Sequence, residues 1–288
     1  MKVLPFKIPK PENIALIYQE DKELRFYNKL HQHEEIQISI ILEGEGDLVV
    51  GDTINRYQQG DVFMIGSNLP HLFKSEENTS RPSFMKTLFF TKESFGKFFF
   101  ELLELKELEA LFRKLDGGIK LHSDQTIILA HFEKLSEATQ LERFIEFLTI
   151  LKHISKAETS SLSSFIYQRA YTEDEGARMS DVMNYAMSEF NKEITLNEIA
   201  DIANMSPNAF CRYFKQRTNK TFFQFLLEIR LEHACRLLKK NKDLSIAEVS
   251  YLSGFRNISN FNRKFKAYKG TTPRAFKTEK EANYGLLD

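Results

Sequence analysis

Several features are scarce in this chain, and each scarcity excludes a class of protein. The 288 residues include two cysteines, Cys211 and Cys235. Two cysteines are too few for a disulfide framework and do not form a zinc finger by themselves. No apolar run approaches the roughly 20 residues that cross a bilayer, and Met1–Glu20 lacks the apolar core of a signal peptide. The sequence therefore predicts a globular, cytoplasmic protein without a membrane partner.

Motifs of common enzyme classes are missing as well. The chain contains no Walker A loop, no Gly-x-Ser-x-Gly and no Gly-x-Gly-x-x-Gly. Gly44-Glu45-Gly46 lacks the third glycine and indicates a hairpin. His122, His131 and His153 lie in or beside helical segments without ligand partners four residues on, so we interpret them as surface or packing residues. The prediction is that the protein is not an enzyme.

Charge is balanced overall but segregated along the chain. Lys+Arg and Asp+Glu number 40 each. Residues 1–177 carry 21 basic and 28 acidic side chains, a net charge of −7, whereas residues 178–288 carry 19 and 12, a net charge of +7. An acidic first part joined to a basic last part is typical of a regulator with a separate polyanion-binding module. Chance segregation would give the same counts, so the charge indicates only where to look for a nucleic-acid motif.

The first 90 residues have the pattern of a β-barrel. Ile36, Ile38 and Ile40 alternate with polar residues, which predicts a half-buried strand. Turn signals recur at short intervals between Lys29 and Phe73, as in a sandwich or barrel. We therefore expect a β-sandwich or β-barrel over residues 1–90.

Helical periodicity replaces the β pattern from about Lys92. Apolar residues recur at helical spacing from Phe95 to Phe112, and further helices are predicted over about 125–136 and 141–156. These helices have more apolar residues than one face needs, so 91–160 is predicted to be a helical region for packing and dimerisation. A linker region is placed over 161–179, centred on Thr172–Gly176, where no apolar period exists.

The basic third, residues 180–288, reads as all-α and contains a duplication. Phe214-Lys215 matches Phe265-Lys266 at an offset of 51 residues, which also aligns Asn219 with Gly270. Capping boxes begin both copies, Thr195 with Glu198 and Ser245 with Glu248. In each copy the sequence predicts a helix, a short turn and a second helix. The first copy covers about 195–218 and the second about 245–268.

One long helix over about 221–240 is predicted to join the two copies. About 18 helical residues span about 27 Å, which suits two motifs that enter major-groove segments about 34 Å apart. The predicted fold class is thus multidomain α and β: a barrel, helices, and an all-α domain with two helix-turn-helix motifs.

Residues 180–278 resemble the DNA-binding domain of the AraC (arabinose-regulator-like) transcription factors. The resemblance rests on 194–200, 230–238, 254–266 and Gly270–Arg274. It implies double-stranded promoter DNA as partner, with contacts at exposed positions of the second helix of each motif. These positions are Asn208, Cys211, Arg212 and Lys215, then Ile258, Ser259, Asn260, Asn262, Arg263 and Lys266. Asn suits adenine and Arg suits guanine, whereas Lys is expected at phosphates.

The N-terminal part, residues 1–90, resembles a cupin domain, the sensor domain of many such regulators, and this resemblance implies a jelly-roll β-barrel. The resemblance rests on His31-x-His33, Gln37 four residues later, Gly60 and Pro70-His71. In cupin enzymes three His and a Glu bind a metal, whereas Gln37 is neutral and a weaker ligand. Two interpretations stay open: a metal site at His31, His33, Gln37 and His71, or a barrel mouth whose histidines pack or bind an effector. We commit to no metal and no cofactor.

These expectations predict a transcription regulator. The barrel would sense a small molecule, such as a sugar or related metabolite, and the middle helices would form a homodimer. The duplicated part would read a promoter, and by family resemblance the protein would activate transcription through RNA polymerase. The alternative is a metal-dependent cupin enzyme with an accessory DNA-binding module.

Overall fold

The structure is a computed structural model that describes residue 8 and residues 14–76, 82–165 and 173–278. The chain forms two compact units. The N-terminal unit comprises Met1–Ser180 with Arg217–Asn219, and the C-terminal unit comprises Asp181–Gln216 with Lys220–Asp288. Among the described residues, no helix is both long and apolar enough to cross a bilayer.

Two antiparallel sheets form the framework of the N-terminal unit. The larger sheet has six strands and the smaller has three. The strands are β1 (Ile17–Glu23), β2 (Ile36–Glu43), β3 (Gly46–Val50), β4 (Thr53–Tyr57), β5 (Val62–Ile65), β6 (His71–Ser75), β7 (Ser83–Phe90), β8 (Ile119–Leu121) and β9 (Thr159–Ser161). Their orders are β1-β7-β2-β5-β8-β9 and β4-β3-β6. The expected N-terminal β-barrel is confirmed.

Strand β2 is buried on both faces, and the prediction that it is half-buried is wrong. Ile36, Ile38 and Ile40 pack under the helices that cover the outside of the larger sheet. Gln37 and Ser39 alternate with them on the other face, and both are buried. The predicted alternation of apolar and polar residues is present, but the polar face points to the barrel interior and not to water. Polar side chains inside a barrel need hydrogen-bond partners, which makes this face a candidate site.

The region 91–160 is less helical than the periodicity predicts. Within Phe95–Phe112 the chain forms two 3₁₀ helices, Phe99–Glu101 and Leu103–Leu108, before the short helix α1 (Glu109–Lys114). Strands β8 and β9 also lie within or at the edge of this region and extend the larger sheet beyond β5. The apolar residues of this stretch belong to several short helical turns that pack on one sheet. Periodicity alone does not distinguish such a series of short turns from one continuous helix.

Two longer helices complete the N-terminal unit as predicted. They are α2 (Gln125–Lys134) and α3 (Gln140–Lys156). Thr139 and Glu142 form a capping box at the start of α3, with the side chain of each accepting from the backbone N–H of the other. Phe147, Ile150 and Ile154 of α3 are buried against the sheet. Much of the apolar surplus of these helices is therefore used inside the unit.

The linker predicted at Thr172–Gly176 is wrong for its described part. Helix α4 (Glu173–Glu189) begins at Glu173 and includes Gly176. Thr172 and the other residues of 166–172, which belong to the predicted linker region 161–179, lie outside the described residues. The absence of an apolar period therefore does not exclude a helix from Glu173 onward.

The C-terminal unit has the predicted duplicated architecture. Its further helices are α5 (Leu196–Ile202), α6 (Pro207–Thr218), α7 (Phe222–Lys240), α8 (Ile246–Leu252), α9 (Ile258–Lys269) and α10 (Pro273–Thr278). The capping boxes at Thr195 and Ser245 are both formed. In the second copy the Ser245 N–H donates to Glu248 Oε2 at 2.7 Å, and the Glu248 N–H donates to Ser245 Oγ at 3.2 Å.

Both copies turn at equivalent residues with left-handed backbone. Asn204 (φ 51°) follows α5, and Gly254 (φ 80°) follows α8. At the ends of the second helices the pair is Asn219 (φ 53°) and Gly270 (φ 73°), as the aligned sequence predicts. The duplication therefore extends from the sequence to the backbone conformation of its turns.

Helix α7 belongs to both hydrophobic cores of the duplication. Near its start, Phe222 lies 5.7 Å from Phe214 of α6 between ring centroids. Further along, Leu231, Ala234 and Leu238 pack in one cluster with residues of α8 and α9, including Phe265. Since one continuous 19-residue helix, about 28 Å long, supplies both cores, it holds the two motifs at a fixed spacing.

Candidate nucleic-acid interface and barrel pocket

The first candidate interface is the outer face of α6. Phe210, Tyr213 and Phe214 are buried, which fixes the rotation of the helix. The four positions predicted to contact DNA are left exposed: Asn208, Cys211, Arg212 and Lys215. Ser206 caps the helix, because its Oγ accepts from the Ala209 N–H at 3.4 Å. The Asn208 amide and the Arg212 guanidinium therefore lie on a helix whose rotation is fixed, near its N-terminus.

The second candidate interface is the matching face of α9. Phe261 and Phe265 are buried, with ring centroids 5.6 Å apart. All six predicted contact positions are exposed: Ile258, Ser259, Asn260, Asn262, Arg263 and Lys266. The Asn257 side chain caps the helix by accepting from the Asn260 N–H at 2.9 Å. Arg263 donates to Asn260 Oδ1 at 2.9 Å, so the two groups form one hydrogen-bonding surface.

The barrel brings together the four predicted side chains of the cupin pattern. His31 lies just before β2 and His71 begins β6, and their backbones pair directly: the His31 N–H donates to the His71 carbonyl at 3.0 Å and the reverse bond is 2.9 Å. One nitrogen from each of His31, His33 and His71 lies within 4.8 Å of the others. Gln37 Oε1 lies 3.2 Å from His33 Nε2 and 3.1 Å from His71 Nε2.

Backbone carbonyls fix the protonation of the three imidazoles. The Nδ1 atoms of His31, His33 and His71 each lie 2.8 Å from a carbonyl oxygen, of Lys29, Glu35 and Leu69 respectively. A carbonyl only accepts, so each Nδ1 has the proton and donates it. Burial lowers the pKa of His31 to about 4 and also lowers the pKa of His33 and His71. Near neutral pH the rings are therefore uncharged, with lone pairs on their Nε2 atoms.

This donor set fits a transition-metal ion by its chemistry. Neutral imidazole nitrogens suit Zn²⁺, Cu²⁺, Ni²⁺ and Fe²⁺, and an N–H donated to a carbonyl is the usual orienting contact of a metal-bound histidine. His31, His33 and His71 would be the nitrogen ligands and Gln37 the oxygen ligand. A bound ion would supply a positive charge and an open coordination position at the pocket wall.

A cavity of about 340 Å³ adjoins this cluster. Its lining includes His31, His33 and Gln37, and two further groups that differ in character. One group is polar: Gln19, Asp21, Glu23 and Arg25. The other is apolar or aromatic: Ile8, Phe26, Tyr27, Phe73, Met85 and Phe89. Burial raises the pKa of Asp21, opposed by a hydrogen bond from Gln19 Nε2 at 2.6 Å.

Sequence reasoning missed the contribution of β1 to this pocket. Gln19, Asp21 and Glu23 are spaced two residues apart and so share one face of the strand. Polar residues therefore recur at every second position of β1. The residues of the other face, Tyr18, Glu20 and Lys22, are polar or amphipathic as well. With no apolar face, β1 does not stand out as a strand, and the pocket wall could not be recognised from composition.

Comparison with known proteins agrees with the two-unit architecture. The model of a helix-turn-helix domain matches residues 199–279, and the model of a cupin domain matches residues 24–81. The chain is 24% identical over 268 residues to an uncharacterised HTH-type transcriptional regulator, YdeC, of Bacillus subtilis (strain 168), covering 89% of this chain and 88% of the relative. It is 22% identical over 268 residues to the HTH-type transcriptional activator RhaS of Enterobacter sp. (strain 638), covering 88% of each chain.

A solved structure is also similar over the C-terminal part. The DNA-binding domain of AdpA, in complex with a target DNA, is 28% identical and covers 35% of this chain and 89% of that domain, with a TM-score of 0.33. The cupin barrel and the duplicated helix-turn-helix unit together define a DNA-binding transcription regulator. Over most of its length the chain is similar to HTH-type transcriptional regulators.

Proposed function

We propose that this regulator reads two successive major-groove segments of promoter DNA and that a small molecule in the barrel pocket controls it. The observation that carries the DNA part is the equivalence of α6 and α9. Each buries its phenylalanines and presents amide and guanidinium groups on its exposed face. Arg212 and Arg263 are the proposed guanine readers, Asn208 and Asn260 are proposed to read adenine, and Lys215 and Lys266 contact phosphates.

Selection from a random DNA library tests this reading. The full-length protein should enrich two short motifs whose centres lie about 10 base pairs apart, one for each helix. Arg212→Ala should relax the preference in one motif and Arg263→Ala in the other, each at a cost of about 1–3 kcal/mol against the preferred base. Lys215→Ala is the matched control, since loss of a phosphate contact weakens all sequences alike. Uniform weakening by Arg212→Ala or Arg263→Ala would contradict base reading.

The barrel cavity supports a small polar effector. A volume of about 340 Å³ lies within the usual range of about 300–1,000 Å³ for ligand pockets. Carboxylates of Asp21 and Glu23 accept hydrogen bonds from hydroxyl groups, and the Phe26 and Phe89 rings offer apolar surface to a carbon skeleton. This combination favours a sugar or a related polyhydroxylated metabolite.

Thermal unfolding with a panel of pentoses, hexoses and disaccharides tests the effector class. A sugar that occupies the cavity should raise the midpoint in proportion to the logarithm of its concentration. Asp21→Asn should weaken this response, whereas Asp116→Asn, outside the cavity lining, should leave it unchanged. If no sugar of the panel raises the unfolding midpoint of the parent protein, the sugar proposal is wrong. The DNA test above would be unaffected by that result.

The proposal includes a homodimer formed through the helices of the N-terminal unit. Leu141 and Ile145 of α3 are 69% and 54% exposed and lie one turn apart, so they form an apolar stripe. A second copy of the chain is the proposed cover of this stripe. By family resemblance the protein is further proposed to act in the cytoplasm as an activator that contacts RNA polymerase.

The proposal excludes a catalytic role. The full-length relatives reported above are described as transcriptional regulators. The enzyme alternative requires a catalytic activity that depends on the histidine cluster. Separate assays of His71→Ala for catalytic activity and for DNA binding test this alternative.

A further inference from the structure

A second cavity lies within the C-terminal unit. It is a groove of about 750 Å³ between the loop Asn191–Ile194 and helices α7, α8 and α9. This volume lies within the usual range of about 300–1,000 Å³ for ligand pockets. Asn260 of α9, which is proposed above to read adenine, lines the groove as well. A molecule in the groove would therefore lie beside the second DNA-reading helix.

Large apolar side chains line the groove and are exposed. Phe223 of α7 is 46% exposed, and Tyr251 and Leu252 of α8 are 76% and 43% exposed. Apolar side chains that are exposed singly are normal on a protein surface, whereas several that share one concavity mark a binding site. Phosphates are strongly hydrated and do not cover such side chains, so DNA reading does not account for this part of the lining.

Basic side chains line the same groove. Of its described lining residues, Glu193 alone is acidic. The Oε2 atom of Glu193 lies 2.8 Å from Arg256 Nη2, but both side chains are mostly exposed, at 64% and 77%. An ion pair this exposed contributes little, so its cation can exchange Glu193 for another anion. The basic residues of the lining are Lys192, Arg230, Arg256 and Lys264.

The guanidinium group of Arg230 is fixed within this lining. Its Nε donates to the Phe190 carbonyl at 2.7 Å, and its Nη2 donates to the Lys192 carbonyl at 2.7 Å. A Cβ on Gly254 would lie 2.9 Å from Arg230 Nε, so the turn before α9 packs directly on this group. Burial and the positive charge of Arg256 lower the pKa of Arg230. Two guanidinium groups close enough to repel each other form a pre-organised site for an anion.

We propose that this groove binds a small aromatic anion, with its rings against the exposed apolar side chains and its carboxylate or sulfonate group at Arg230 and Arg256. Guanidinium groups bind such anions through paired hydrogen bonds, and aromatic rings stack on Phe223 and Tyr251. A molecule with apolar and anionic parts satisfies both kinds of lining residue, which neither a sugar nor a phosphate does.

A bound anion would compete with DNA at α9, because Asn260 lines the same groove. This competition rests on the proposed DNA reading, whereas binding of the anion does not. The two steps therefore need separate measurements, one without DNA and one with it.

Titration of the full-length protein with anilinonaphthalene sulfonate (ANS), an aromatic anion that fluoresces in apolar surroundings, tests the groove. The fluorescence should saturate at about one molecule per chain. Tyr251→Glu and Arg256→Ala should each weaken binding about tenfold or more. The first substitution puts a negative charge beside the rings, and the second removes a partner of the sulfonate.

Two further variants are matched controls for this titration. Arg274→Ala also removes one positive charge from the C-terminal unit, but Arg274 is an exposed residue of α10 outside the groove lining. Asp21→Asn changes the barrel cavity. Both should bind ANS as the parent protein does.

Competing ligands test the chemical class. Naphthoate should displace ANS, whereas naphthalenemethanol, which has no charge, and cyclohexanecarboxylate, which has no aromatic ring, should not do so at the same concentration. Naphthoate should also displace labelled DNA with both selected motifs from the parent protein, but not from Tyr251→Glu.

The anion proposal is wrong if ANS does not bind, or if Tyr251→Glu and Arg256→Ala bind it as the parent does, even where the DNA selection succeeds. Equal displacement of ANS by naphthalenemethanol would also contradict it, because the basic side chains would then not hold the ligand. Weaker DNA binding by Arg256→Ala in a protein that binds no ANS would make the groove a DNA contact instead.

Discussion

The two cysteines have opposite surroundings in the C-terminal unit. Cys211 is exposed on α6, whereas Cys235 is buried in α7. Burial, with a contribution from Glu232, raises the pKa of Cys235 to about 12. Thiolates are the reactive species, so iodoacetamide at about pH 8 should alkylate Cys211 and spare Cys235 in the folded protein. Mass spectrometry of the digested product measures both sites, and unfolding in urea should make both react.

The same reaction reports on the proposed DNA contact. Binding of the selected DNA should slow the alkylation of Cys211, because its thiol lies on the face assigned to the major groove. Cys235 serves as the internal control and should be unaffected. An alkylation rate of Cys211 that is equal with and without saturating DNA would place this residue outside the interface.

At the scale of the secondary-structure element, two glycines at helix ends allow the stability cost of left-handed backbone to be distinguished from the cost of a steric contact. Gly254 and Gly270 both have positive φ, 80° and 73°. A Cβ on Gly254 would lie 2.7 Å from the Phe190 carbonyl oxygen, whereas a Cβ on Gly270 would meet no atom of the described residues within 4 Å. Gly270→Ala should therefore destabilise by about 1 kcal/mol, the cost of the left-handed conformation alone. Gly254→Ala should cost clearly more, because the turn between α8 and α9 must also shift.

Chemical denaturation of the two variants checks this difference. Each midpoint is converted to a free energy with the slope of the parent protein. Asn204→Gly provides a third comparison, since it relaxes the matching turn of the first motif and should not destabilise it beyond a few tenths of a kcal/mol. Equal losses for Gly254→Ala and Gly270→Ala would mean that the contact with Phe190 does not constrain the turn.

At the scale of the whole molecule, the apolar stripe of α3 determines the proposed assembly. Replacing both Leu141 and Ile145 with Glu puts charges on the stripe without touching the buried side chains Phe147 and Ile150. The double variant should sediment as a monomer at a concentration at which the parent is a dimer, and it should bind single target sites with unchanged base preference. Sedimentation velocity measures the first outcome and DNA selection the second.

Leu103→Glu is the matched control for this assembly. Leu103 is also exposed, at 83%, but belongs to a 3₁₀ helix and not to the stripe. It should leave the sedimentation of the protein unchanged. If the parent itself sediments as a monomer, the dimer proposal is wrong, while the fold and the DNA interface stand.

The sequence by itself determined the C-terminal unit in detail. Capping boxes, left-handed turn residues and buried phenylalanines act within a few residues of chain, so Thr195, Ser245, Asn219 and Gly270 could be assigned before any contact was known. The four-residue cupin pattern was likewise recognised, because it is a spacing along the chain.

Only the tertiary structure decided what surrounds the barrel site. The cupin pattern predicts Gln37 as a site residue, but the burial of its side chain between His33 and His71 follows only from the closure of the two sheets. Asp21 and Glu23 reach the pocket because β1 pairs with β7, and their partners on that strand lie 60 or more residues away in the chain. Pairing of strands so far apart in the chain is determined by the packing of the whole unit, so a local pattern of residues does not predict it.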